Sequence, residues 1–279
     1  MAIEIGVILP TSTPDPRQPI LGDVRAAARL AEELGLGSVW STDHLIASAP
    51  MLESTVVLAT AAAVTERVRV GFGAMLLALR PVAWAAKQVA ALQYVSGNRV
   101  LLGVATGNPA HGDAGFRAAG VSFADRGRRT DAALGVLPDL IAGRTAVLPD
   151  ATEATLAPGA LVPPILIAGN GARARRRAAQ FGDGWMVMQP DLAALDGEIA
   201  ELRQLAADLG RPAPSVTVVA PSLAADQARA GAELASYAAA GVERVVLAPT
   251  GADWESDYQR AAGIQAVELC RDDGLTSAC

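Results

Sequence analysis

The sequence predicts an α/β protein built as a single (β/α)8 barrel over residues 1–279. Three observations carry that expectation. Eight short apolar runs alternate with eight stretches of helical periodicity, and the runs are apolar throughout, as strands buried on both faces must be. The chain has 279 residues, a length that suits eight such units. No stretch of linker-like composition divides it, so one domain is expected.

The elements follow in order. Ile3 to Pro10 reads as a buried strand stopped by proline. After a loop rich in Pro and Asp, Asp23 to Gly35 carries apolar residues at Val24, Ala27, Ala28, Leu30, Ala31 and Leu34, a helical repeat with Gly35 as its C-terminal cap. Ser38 to Ser41 is the second strand, ending in Thr42-Asp43-His44. A second helix is expected from Glu53 to Thr65, a third strand from Arg67 to Ala74, and a third helix from Val82 to Val95 behind Arg80-Pro81. The fourth strand, Arg99 to Val104, opens into the segment Thr106 to His111. A loop rich in Gly and Ala leads to a helix from Asp125 to Ile141, and an irregular Pro-rich segment, Gly143 to Pro164, precedes the fifth strand at Ile165. The sixth strand is Trp185 to Met188, with its helix from Leu192 to Leu209. The seventh is Val216 to Ala220, with Ala225 to Ala240, and the eighth is Arg244 to Ala248, with Trp254 to Leu269.

Composition narrows the function. The chain is 51% hydrophobic and 19% charged with a net charge of −6, which argues against a nucleic-acid surface. The longest uncharged apolar run, Val70 to Leu79, is far too short to span a membrane, and the N-terminus lacks the basic start and apolar core of a signal peptide. Two cysteines near the C-terminus, Cys270 and Cys279, and two histidines give no metal-ligand pattern, so no metal is expected. These bounds point to a cytoplasmic protein acting on a small molecule, with a homodimer as its expected assembly.

The stretch ILIAGNGARARRRAAQFGDGWMV, residues 165–187, carries the strongest chemical signal. An apolar strand delivers the chain to a Gly169-Asn170-Gly171 turn, and a helix opens at Ala172. Glycine permits a sharp turn and close approach of a ligand to the backbone. The helix start offers unpaired N–H groups and the positive end of its dipole, and Arg173, Arg175, Arg176 and Arg177 add charge. Together these read as a phosphate seat. The plain alternative is a turn needing glycine only for geometry, with solvated arginines. Gly169-x-Gly171-x-x-Ala174, with Asp191 further on, also matches a dinucleotide fingerprint, but such a fingerprint belongs near the start of a domain and this one follows a fifth strand.

A barrel of this kind binds its ligand over the C-terminal ends of its strands. Asp43-His44 ends the second strand, Gly73, Ala74 and Leu76 the third, and Thr106-Gly107, with His111 close behind, the fourth. Both histidines therefore fall on the catalytic rim, where an imidazole can exchange protons near neutral pH. Asp43 reads equally as a structural hydrogen-bond acceptor. The rim is apolar on the third strand and rich in donors on the fourth and fifth, which suits a flat, partly apolar ligand carrying a phosphate.

In order and spacing, ARLAEELGLGSVWSTDH (28–44), ATAAAVTERVRVGFGAMLLALRPV (59–82), AAKQVAALQYVSGNRVLLGVATG (85–107), FRAAGVSFADRGRRTD (116–131) and ILIAGNGARARRRAAQFGDGW (165–185) resemble the bacterial luciferase-like superfamily of flavin- and deazaflavin-dependent oxidoreductases. The resemblance covers most of the first two thirds of the chain and is strongest to the small members that use coenzyme F420. It implies a (β/α)8 fold holding F420, or alternatively FMN, at the rim. On these residues, Gly169, Asn170, Gly171 and the helix start at Ala172 would hold the phosphate. Thr106, Gly107 and His111 would line the ring and ribityl side, with Asp43 and Leu76 on the same rim. Gly73-Ala74 would form a bulge, in many members a cis peptide, behind the ring. His44 matches the histidine beside the reacting carbon. Two features depart from the pattern. Asn108 stands where some sugar-oxidising members carry glutamate, and Asn170, which tolerates positive φ, separates the two glycines. The implied activity is hydride transfer between F420 and an organic substrate. The alternatives are an FMN-dependent monooxygenase and a non-catalytic flavin-binding protein.

Overall fold

A computed structural model describes residues 3–12, 22–47, 49–220, 226–250 and 253–272. Its first half comprises β1 (Glu4–Ile8), α1 (Val24–Glu33), β2 (Ser38–Ser41), α2 (Ser54–Ala63), β3 (Arg69–Leu76), α3 (Val82–Val95) and β4 (Val100–Ala105). The short helices α4 (Ala114–Ala118), α5 (Arg126–Leu134) and α6 (Leu137–Ile141) intervene, with a hairpin of β5 (Ala146–Val147) and β6 (Glu153–Ala154). The second half is β7 (Ile165–Ala168), α7 (Ala172–Phe181), β8 (Gly184–Met188), α8 (Leu192–Asp208), β9 (Ser215–Ala220), α9 (Gln227–Ala239), β10 (Arg244–Leu247) and α10 (Trp254–Asp272). Eight parallel strands close a barrel in the ring order β1-β10-β9-β8-β7-β4-β3-β2.

Strand periodicity divides the core in two. One set of side chains, including Val39, Phe72, Leu102, Ile167 and Val218, packs outward under the helices. The other fills the barrel: Trp40, Leu101, Leu166, Met186, Val219 and Val246, with Ile8, Ala74 and Ala168 packed against them. Every barrel strand contributes to this interior. The Trp40 ring fits because position 71 is glycine, where a Cβ would stand 2.3 Å from the ring. Ile8, Ala74 and Ala168 are only partly buried and give the mouth of the barrel an apolar floor.

The opposite end is closed by charge. Glu4 accepts hydrogen bonds from Arg244 Nε at 2.7 Å and Ser38 Oγ at 2.9 Å and pairs with Arg69, while the Trp40 indole N–H donates to Ser38. Burial pushes the Glu4 carboxyl up, but the two guanidinium groups outweigh it and hold it below the usual carboxylate range.

Several boundaries differ from the sequence reading. Strand β3 continues to Leu76, with its register against β4 shifting between Phe72 and Met75. The helix expected from Asp125 to Ile141 is two helices. The first ends at Leu134, capped by Gly135, and the second begins anew with Pro138 in its first turn, where proline's missing N–H costs nothing. The segment Gly143 to Pro164 contains the β5–β6 hairpin. Most of the Pro- and Asp-rich loop after β1, Ala225 at the expected start of the seventh helix, and Cys279 lie outside the described residues.

Candidate active site

The end of β2 is fixed by a buried ion pair. Asp43 is 4% exposed, and each of its carboxylate oxygens accepts two hydrogen bonds. Oδ1 is bound by Ser54 Oγ at 2.9 Å and Arg80 at 2.8 Å, and Oδ2 by the Leu76 N–H at 2.8 Å and Arg80 at 2.7 Å. Burial raises the Asp43 carboxyl, but Arg80, Leu76 and Ser54 together hold it below the ordinary range. Asp43 is a bracket joining β2, β3 and the start of α2. Leu76 is likewise drawn into this bracket and is 6% exposed. Asp43→Asn keeps the shape and removes the charge facing Arg80. It is expected to cost about 2–3 kcal/mol of stability, read as a lower urea midpoint with unchanged slope.

The bracket sets the backbone from which the half-buried His44 projects. Its ring meets His111 edge to face, with centroids 5.0 Å apart and planes at 68°. His111 sits exposed in the short turn Pro109–His111, whose entry is capped by the Asn108 side chain accepting from the Ala110 N–H. Burial lowers the His44 pKa, the neighbouring His111 lowers it further, and Asp43 partly opposes them. His44 therefore stands neutral at pH 7, with a lone pair able to accept a proton.

Of the other rim residues, Gly73 and Ala74 are joined by a cis peptide, as the resemblance implied, and Ala74 packs into the barrel interior. Thr106 is half-buried. Gly107 has φ +92°, and a Cβ there would stand 3.0 Å from the Phe116 ring. Its carbonyl faces Arg126 Nε at 3.4 Å, and Arg126 also stacks on Phe123 at 3.8 Å.

The turn after β7 is firmly built. The Gly169 N–H donates to the Met186 carbonyl at 3.0 Å, and its carbonyl accepts from the Trp185 indole at 2.7 Å. The positive φ falls on Gly169, at +135°, not on Asn170. The Asn170 side chain is spent on the end of β8, donating to the Met188 carbonyl at 2.6 Å and accepting from its N–H at 2.9 Å. Helix α7 then opens at Gly171 with no side-chain cap, which leaves the N–H groups of Ala172 and Arg173 without an intrahelical acceptor.

The arginines divide differently from the sequence reading. Arg175 is 8% exposed and binds Glu198 and Glu201 on α8, while Arg177 binds Asp131 on α5. Both are committed to helix packing. Arg173 and Arg176 are exposed and have no ion pair among the described residues. Of the four, only these two are free to meet an anion.

Arg80 is the site residue that the sequence alone does not point to, since it lies 37 residues from Asp43. Its one local signal was its place in Arg80-Pro81, just ahead of α3.

A parallel barrel with an apolar-floored mouth, two histidines on one side and an uncapped glycine turn on the other defines a ligand-binding α/β barrel enzyme. The family model for luciferase-like monooxygenases matches residues 3–272, and the chain belongs to that family of oxidoreductases. Uncharacterized proteins of Mycobacterium bovis and Mycobacterium tuberculosis are each 36% identical to it over 170 residues, 59% of this chain. The match spans 58% of the length of those curated relatives. Among solved structures, a monooxygenase from Streptomyces bottropensis superposes with a TM-score of 0.81 at 18% identity, covering 97% of this chain and 100% of that one. An F420-dependent secondary alcohol dehydrogenase bound to an F420–acetone adduct gives 0.80 at 16%, covering 95% and 98%. The F420-dependent tetrahydromethanopterin reductase of Methanopyrus kandleri gives 0.70 at 16%, covering 94% and 98%. At these identities the superpositions speak for the fold. No helix among the described residues is long and apolar enough to cross a membrane.

Proposed function

We propose that this chain is a coenzyme F420-dependent oxidoreductase that moves a hydride between the deazaflavin and a small organic alcohol or carbonyl compound. The observation that carries the reading is His44: a half-buried imidazole at the barrel mouth, edge to face with an exposed His111. The residues present fit a phosphorylated cofactor. A Cβ built on Gly171 would meet nothing within 4 Å, so the space beside the turn is open, and the N–H groups of Ala172 and Arg173 lie at its edge. These groups, with Arg173, would hold the phosphate, while Ala74, Thr106 and Gly107 would back the ring. Bound F420 supplies one carbon that accepts or gives a hydride. His44 takes the hydroxyl proton of an alcohol as its carbon is oxidised, or returns it in the reverse direction. His111 lies edge to face with His44 and is open to solvent.

Exposed Val56 on α2 and Trp84, Tyr94 and Val95 on α3, each at least 61% accessible, support a homodimer on that face, which sedimentation equilibrium would read as twice the chain mass. The deciding test of the cofactor is fluorescence titration of the purified protein with F420 and, separately, with FMN. Saturation by F420 at micromolar concentration is expected. Saturation by FMN alone would move the reading to a monooxygenase, and saturation without turnover of any alcohol or carbonyl compound would favour a carrier.

A further inference from the structure

We propose that a second cavity, between the start of α3 and α5, binds a small organic anion: a carboxylate or phosphate carried on a short apolar body. The cavity opens to solvent and offers about 310 Å³, within the range of small-molecule sites. Neither His44 nor the Gly169–Gly171 turn lines it. Its floor is apolar, built from residues such as Leu77, Val82 and Leu148. Its wall holds Arg80, Arg128 and Arg129 against one carboxylate, Asp150.

The three guanidinium groups are unequally available. Arg80 is held by Asp43. Arg128 has Asp125 at 3.2 Å, but with the two side chains 75% and 47% exposed that pair is solvated and weak. Arg129 is exposed, and its side chain has no hydrogen-bond or ion-pair partner among the described residues, its backbone N–H alone donating to the Asp125 carbonyl at 2.9 Å. The cavity is also lined by Val82 and Ala83, the first residues of α3. That helix opens after Pro81 with no side-chain cap, so their N–H groups have no intrahelical acceptor. Two solvated cations and two open N–H groups over an apolar floor match an anionic head on an apolar tail. A bare ion would leave the floor in water, and a neutral alkane would leave the donors unmet.

The experiment is isothermal titration calorimetry with hexyl phosphate, hexanoate, inorganic phosphate and hexanol as probes. Hexyl phosphate or hexanoate is expected to saturate one site per chain, and whichever binds more tightly identifies the head group. Inorganic phosphate should bind at least about tenfold more weakly for want of the apolar body, and hexanol should not saturate. The Arg128→Gln/Arg129→Gln double variant should lose about tenfold or more in affinity for the tighter probe. Ala132→Phe, which fills the cavity without changing charge, should do the same. Gly171→Val should leave this binding intact, which separates the site from the proposed phosphate seat after β7. No saturable binding by the wild type, or full affinity in both cavity variants, would overturn the assignment. So would loss of binding in Gly171→Val alone.

Discussion

Gly171→Val is expected to abolish cofactor binding, a loss of at least about a hundredfold in affinity, while its circular dichroism spectrum and melting curve stay those of the wild type. Gly171 has φ −96° and ψ 168°, an extended conformation open to any residue, and a Cβ there touches no atom of the protein within 4 Å. The fold therefore does not require glycine at this position. Its remaining use is to leave room at an uncapped helix start, where a branched side chain would occupy the space a phosphate needs. Gly169 is the control. At φ +135°, with Ala174 Cβ 3.1 Å from an added Cβ, Gly169→Ala should cost about 1–3 kcal/mol of stability. Undiminished cofactor affinity in Gly171→Val would remove the phosphate from this turn.

His44→Ala is expected to lower turnover by about 10²–10⁴ while the cofactor dissociation constant changes little, since positioned proton transfer contributes on that scale. The pH profile gives a second reading. Burial and His111 lower the His44 pKa from its ordinary 6.5, so the base is protonated only in more acidic solution. The rate should rise with pH through a value below 6.5 and stay level above it. Asp43→Asn removes the carboxylate that opposes this lowering and should move the acid limb to still lower pH. A pH profile in His44→Ala that keeps the wild-type limb would assign the titration, and the proton, to another group.

Much of the barrel was legible because parallel strands buried on both faces leave unbroken apolar runs, such as Val216 to Ala220, bounded by helices with a 3.6-residue repeat. Residues that pair over long sequence distances were not. Asp43 and Arg80 are 37 residues apart, Arg177 and Asp131 46 apart, and neither sequence neighbourhood contains its partner. A run such as Arg173 to Arg177 gives the charge but not the direction of each side chain. Direction is set by helix phase, which turns Arg175 toward α8 and leaves Arg173 and Arg176 in solvent. The β5–β6 hairpin was missed for a different reason: each of its strands has two residues, too few to show alternation.

The closing seam of the barrel bears on how the chain is made. β1 is paired on one side by β2, but its other edge is covered only by β10 and α10, through Glu4 with Arg244, 240 residues away, and through Tyr258 donating to the Ile8 carbonyl. At about 5–20 residues per second, a ribosome needs roughly 12–48 s to deliver that partner after β1 has emerged. For that interval the nascent polypeptide carries an open apolar edge, Glu4 lacks its Arg244 counterion, and β10 is the strand that satisfies both. Chaperone occupancy during synthesis should therefore fall on the first βα units and end when β10 docks.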